Sequence, residues 1–149
     1  LPNTSPPGAE VVARVFEKLT EALRGEVLAD EPLSRHTTWR TGGPADLFVV
    51  PADRADLLAA LRILERFETP WLVIGFGSNL LVRDGGVRGA VIHLRQLRRM
   101  VFEPGGIVRV EGGLPMMSLV GEAVRRGLAG VESLAGIPGS VGGEIAMNA

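Results

Sequence analysis

With 149 residues, 46% of them apolar, the chain can bury a core of its own, and with no cysteine it carries no disulfide framework, thiolate metal site or cysteine nucleophile, which fits a reducing cytosol. A formal charge of −1 gives no basic surface of the kind that tracks a nucleic-acid backbone. No apolar run approaches the roughly 18 residues of a membrane span, and the opening LPNTSPPGAE lacks the charged-then-apolar order of a secretory signal, so neither nucleic acid nor membrane is expected as a partner.

After the Pro/Ser/Gly leader, Val12, Val15, Phe16, Leu19 and Leu23 recur at helical spacing, and Gly25 follows as a C-terminal cap. That pattern predicts a peripheral amphipathic helix. PLSRHTTWRTGGPADLFVVP then turns at Gly42-Gly43-Pro44 and runs apolar from Leu47 to Val50, a strand ended by Pro51. Asp53 is placed to cap a helix whose buried stripe is Leu57, Leu58, Leu61 and Leu64. Strands follow at Trp71–Ile74, Leu80–Val82 and Ala90–Leu94. The basic knot Arg95, Arg98 and Arg99 reads as a solvated connection to a second unit.

That unit opens with strands at Met100–Glu103 and Ile107–Val110, joined through Pro104-Gly105-Gly106, whose residues suit a hairpin turn. Pro115 stands at the first turn of a helix, where its missing N–H costs nothing. Met116, Val120, Ala123 and Val124 share one face up to Gly127, and Met116 and Met117 both read as core. Two strands alone make a marginal sheet. The chain begins at Leu1 and stops at MNA just after a glycine-rich run, so a fragment is expected. The organisation predicted is α+β, with a leader and helix at 1–33, one subdomain at 34–94 and a truncated second at 95–149.

Two glycine loops carry the candidate chemistry. Gly75, Phe76, Gly77, Ser78, Asn79 and Leu80 interrupt an apolar run. A dinucleotide fingerprint would go on with a third glycine and a helix, but Leu80-Leu81-Val82 and Arg83-Asp84-Gly85-Gly86 are too short and too soon broken for one. Such a loop suits an anion nest: successive N–H groups line one concavity, and Ser78 and Asn79 add a hydroxyl and an amide. A plain hairpin fits the local pattern equally well. In the second loop Gly136, Gly139, Gly142 and Gly143 alternate with Ile137, Pro138, Ser140 and Val141. Glycines at that density let the main chain approach a flat ligand while the apolar residues cover its face; the other reading is a bend between core elements.

The wording of both loops, with HTTWRTGGPADLFVVP at 36–51, VIGFGSNLLVRDGGVRGAVIHL at 73–94 and GLAGVESLAGIPGSVGGEIAMNA at 127–149, resembles the UDP-N-acetylenolpyruvoylglucosamine reductases. The resemblance implies the vanillyl-alcohol-oxidase or p-cresol-methylhydroxylase type of flavin fold, with FAD held between two α+β subdomains. Gly75 to Leu80 would then wrap the FAD pyrophosphate, and Gly136 to Gly143 would line the isoalloxazine side. The reaction implied passes a hydride from NADPH to the flavin and on to UDP-N-acetylglucosamine enolpyruvate, giving UDP-N-acetylmuramate for peptidoglycan synthesis. Alternatives are a flavin oxidase of the same fold and a non-catalytic FAD- or nucleotide-binding domain.

The family's serine proton donor, in a G-S-x-F-K-N-P type motif, and its arginine, in a Y-R-x-S motif, have no counterpart here, and the chain has no tyrosine. No catalytic residue is therefore assigned; such residues are expected beyond residue 149, and the 149 residues alone are expected to be inactive. Phe76 stands where many relatives carry a small residue, and Glu144 where they carry a small or apolar one. Glu144 is expected to face solvent, because unpaired charges are seldom buried. His36 and His93 make no case for a metal, Asp53 and Asp56 read as helix-start chemistry, and Arg40 and Thr41 either shape the FAD pocket or form a turn.

Overall fold

Pro44–Val50 (β2) is buried almost throughout, as a strand covered on both faces must be, and in the computed structural model, which describes residues 7–148, it lies inside the sheet. Its partners are Glu26–Pro32 (β1), antiparallel, and Val87–His93 (β4), parallel. Trp71–Ile74 (β3) adds in parallel beside β4, giving the order β1-β2-β4-β3. β1 was not foreseen, and it draws part of the predicted leader into the sheet. Asp46 fixes the register shift between β2 and β4: its carboxylate accepts from the Gly89 amide at 2.7 Å and pairs with Arg88 at 2.8 Å.

Two helices cover one face. Ala9–Ala22 (α1) and Arg54–Arg66 (α2) bury Val15, Leu19, Ala60 and Leu64 against Leu47, Val49, Ala90 and Ile92. So α1 is a core layer rather than a peripheral helix. It ends at Leu23 in extended backbone, and Gly25 is not its cap: a Cβ there would overlap the Val50 carbonyl oxygen, so glycine is required by close approach of the chain. Asp53 caps α2 by accepting from the Asp56 amide at 3.0 Å. The buried face of α2 is Asp56, Ala60 and Leu64, whereas Leu58, predicted to be buried, is exposed. Asp56 itself is 4% exposed and ties three segments together, accepting from the amides of Arg24 at 3.0 Å, Gly25 at 2.8 Å and Ala52 at 3.1 Å.

The opposite face packs Leu33, Ala45, Phe48, Val50, Ile74 and Val91 beneath a loop that runs from β3 to β4. Leu80–Val82 lies in this loop and is not a strand. Val82 drops into the core while Leu81 points out, so LLV supplies one anchor and no ladder. The strand expected at Ala90–Leu94 is β4, which starts earlier, at Val87, and ends at His93.

The second unit follows expectation more closely. Met100–Glu103 (β5) and Ile107–Val110 (β6) pair antiparallel, and Met116–Arg125 (α3) starts after Pro115. Leu114, Met116, Leu119 and Val141 form its small core. Val124 and Met117 were expected inside but are 63% and 53% exposed. The glycine run does not stay a loop: Val141–Met147 (α4) is helical, capped at Ser140, whose hydroxyl accepts from the Gly143 amide at 3.3 Å, and closed by Asn148 in the left-handed region.

Candidate functional site

β3 and β4 run parallel although a single loop joins them, and a tight hairpin cannot do that, so the hairpin reading of GFGSN is excluded. The loop must instead cross over, and glycines at its crossings allow it. A Cβ at Gly43 would overlap the Asp84 carbonyl oxygen, and one at Gly86 the Pro44 carbonyl oxygen. At this junction the Gly43 amide donates to Arg83 O at 3.0 Å.

The loop's first half rests on two other segments. Gly77 has φ +65°, and a Cβ on it would overlap His36 O; Thr38 N donates to Gly77 O at 3.1 Å. Gly75 is pressed against the Ser140 hydroxyl. His36 is braced in turn: it stacks on Phe48 with ring centroids 4.1 Å apart, and its Nε2 lies 3.0 Å from Glu31 Oε1. Arg40 and Thr41 complete a turn, with Arg40 N donating to Thr37 O at 3.1 Å and Thr37 Oγ1 to Thr41 O at 2.9 Å. They do not line the cavity described next.

That cavity has a volume of about 370 Å³ and is lined by all of Gly75 to Leu80, by Ile137, Pro138, Ser140 and Gly143, and by Glu144. Among the described residues, the amides of Gly75 through Asn79 donate no hydrogen bond, while the turn at Ser78–Asn79 brings the Leu80 amide back towards Gly77 O. Unpaired amides in a loop that lines a cavity, with the Ser78 hydroxyl and Asn79 amide beside them, are a donor set suited to an oxyanion. The two glycine loops therefore meet in space, and only part of the second lines the cavity. Val141 is a core residue, and the amides of Val141 and Gly142 donate to Leu114 O and Gly112 O, each at 2.9 Å. Gly136 donates to Met117 Sδ, while Gly139 O accepts from Met116 N. None of Gly136, Gly139, Val141 and Gly142 lines the cavity.

Glu144, expected to face solvent, stands at the cavity. It is half-buried, its carboxylate lies over Gly139 where a Cβ would stand, and it lines the cavity. Val73, Ile74, Ala146 and Met147 line it too and were not anticipated. Ser140 before a V-G-G-E-I-A-M run was the available signal, an N-cap residue ahead of a short helix.

His93 lies under the loop, 5.7 Å from His36 ring to ring, and its Nδ1 accepts from the Arg95 amide at 3.1 Å. Burial first, then the facing His36 and Arg95, push it down to about 4. A depressed histidine stabilises the fold fully above its unfolded value of 6.5, and the contribution is lost as pH falls from there towards 4. We expect wild type to lose about 2 kcal/mol more than His93→Gln between pH 7 and pH 4, after allowance for solvent screening, in urea unfolding. Parallel curves for the two proteins would remove His93 from this role. Among the described residues no cluster of metal-ligating side chains occurs, and no helix is long and apolar enough to cross a membrane.

Residues 45–149 match the family model described as FAD binding domain. The UDP-N-acetylenolpyruvoylglucosamine reductase of Syntrophotalea carbinolica is 52% identical over 132 residues, 89% of this chain and 44% of that protein. The enzyme of the same name from Geobacter metallireducens is 51% identical over 135 residues, 91% of this chain and 45% of that protein. This chain thus spans less than half the length of these relatives. Among solved structures, the UDP-N-acetylenolpyruvylglucosamine reductase of Thermus caldophilus superposes with a TM-score of 0.61 at 37% identity, over 85% of this chain and 43% of that one. The 4-ethylphenol oxidase of Gulosibacter chungangensis superposes at 0.65 with 21% identity, over 83% and 27%, which is a likeness of fold alone.

Proposed function

Because the chain belongs to the FAD-binding-domain family, as the FAD-binding part of a UDP-N-acetylenolpyruvoylglucosamine reductase with the α+β flavin fold of the vanillyl-alcohol-oxidase type, we propose that it holds FAD for an NADPH-dependent reduction of UDP-N-acetylglucosamine enolpyruvate. The product is UDP-N-acetylmuramate, made in the cytoplasm for peptidoglycan and so for cell shape and division. The single observation that carries the reading is a run of amides, Gly75 to Asn79, that have no acceptor among the described residues and belong to a loop lining the cavity.

In this reading those amides, with Ser78 and Asn79, hold the diphosphate of FAD through backbone donors rather than a helix terminus. Gly75 and Gly77 leave the loop room for its turn, since a Cβ on either would meet Ser140 or His36. Ile137 and Pro138 cover an apolar face of the ligand, and residues 34–94 and 95–149 act as the two halves of the cleft. When bound, FAD supplies the redox centre. The chain's own part is to bind it, orient it and keep water from it, with substrate groups coming from the rest of the full-length protein.

The test is reconstitution. Full-length protein stripped of flavin should take up FAD stoichiometrically, with a perturbed visible absorption band, and oxidise NADPH only when the UDP-sugar is present. Protein that stays colourless after reconstitution would falsify the assignment of the cofactor. Flavin uptake with no response to the UDP-sugar would sink the substrate and leave the cofactor standing.

A further inference from the structure

The cavity has two walls of opposite chemistry. One is the loop Gly75 to Leu80, whose amides from Gly75 to Asn79 have no acceptor among the described residues. Glu144 also lines that space, and an ionised carboxylate is acceptor-only. Neither hydrogen bonds nor ion pairs reach that carboxylate among the described residues, and no arginine, lysine or histidine lines the cavity. α4 places Glu144 over Gly139, with a carboxylate oxygen standing where a Cβ would be.

A bare polyphosphate satisfies the first wall and is repelled by the second. A ligand that satisfies both carries an anionic group and, within the same 370 Å³, neutral O–H donors. A nucleotide diphosphate does, because its phosphates are flanked by sugar or sugar-alcohol hydroxyls. An acidic side chain that reads such a hydroxyl is the device used by dinucleotide folds that hold the phosphates on a helix.

We propose that Glu144 is a specificity-determining residue that accepts a hydrogen bond from a hydroxyl of the polyol next to the diphosphate, so that the cavity selects hydroxyl-bearing nucleotides over bare polyphosphate. This rests on the reading of the cavity as the FAD site. The carboxylate would lose its hydration on closure of the site and regain a partner only from a ligand with that hydroxyl, which is how a polar pocket rejects an analogue lacking the group.

The experiment uses full-length protein stripped of flavin, as wild type, Glu144→Gln and Glu144→Ala, with FAD affinity read from flavin fluorescence and competition by FMN, ADP and inorganic pyrophosphate. Glu144→Ala should weaken FAD about tenfold, the scale of one charge-assisted hydrogen bond, with Glu144→Gln between it and wild type because an amide oxygen still accepts. Pyrophosphate should compete as well or better against both variants, since it meets only the repulsive side of Glu144. FMN weakened in step with FAD assigns the hydroxyl to the ribityl chain; ADP weakened instead assigns it to the ribose. FAD bound by Glu144→Ala as tightly as by wild type, or more tightly, overturns the proposal. Failure of the wild type itself to bind FAD is a separate result and strikes at the cavity assignment.

Discussion

Gly77→Ala is expected to cost the full-length protein its flavin, weakening FAD at least a hundredfold and lowering stability by about 3 kcal/mol. Two effects add at this position. The backbone sits at φ +65°, where a side chain costs roughly 1–2 kcal/mol. The new Cβ would also meet the carbonyl oxygen of His36. His36 cannot give way cheaply, because its ring is stacked on Phe48 and bonded to Glu31, and the next residues are tied to the loop through Thr38 N and Gly77 O. The loop must therefore move, taking its donors out of register. Gly85→Ala is the control, since a Cβ there meets nothing within 4 Å. Equilibrium dialysis with FAD and a thermal melt of the three proteins decide the matter. A Gly77→Ala protein that holds FAD within threefold of wild type would remove this turn from the site.

Asp56→Ala should be the most damaging change away from the cavity, at about 3–5 kcal/mol, or roughly 10 °C in melting temperature. Its carboxylate is the acceptor for three backbone amides from the α1–β1 connection and the β2–α2 connection, so truncation strands three N–H groups at once. Burial by itself would raise the acid, but the amides of Ala52, Gly25 and Arg24 outweigh it and hold the group below the usual carboxylate range. With a depressed value, the stabilisation is present above the unfolded carboxylate's value near 3.9 and is lost as pH falls through the folded one. Asp56→Asn should cost less, and its deficit relative to wild type should shrink in acid. A melt of Asp56→Ala within 2–3 °C of wild type, the scale of roughly 1 kcal/mol, would mean the amides find water instead.

Several elements were legible because their signal is local. Asp53 before an apolar stripe marks α2, Pro104-Gly105-Gly106 marks the β5–β6 turn, and Pro115 marks the start of α3. Others depend on partners. β1 reads E-V-L-A-D-E-P and is mostly exposed, so it shows no apolar alternation; it is a strand because the edge of β2 is there to pair with. Leu80–Val82 has the composition of a strand but lies in a crossover with no neighbour to complete a ladder. In the site, the donors of GFGSN follow from glycine chemistry, whereas α4 is hidden by Gly142-Gly143, poor helix formers held in place by Gly112 and Ser140. The placement of Glu144 beside the cavity depends on that helix.

The stretch between β3 and β4 is clamped by residues 36–44 and by Ser140, two segments far from it and from each other along the chain. Closing such distant segments carries a loop-entropy cost before any reward, so this region should condense late in folding. Acquisition of ligand affinity during refolding should accordingly lag behind the recovery of helical signal. A mixing experiment with flavin present from the start would time the final step of assembly, not the first.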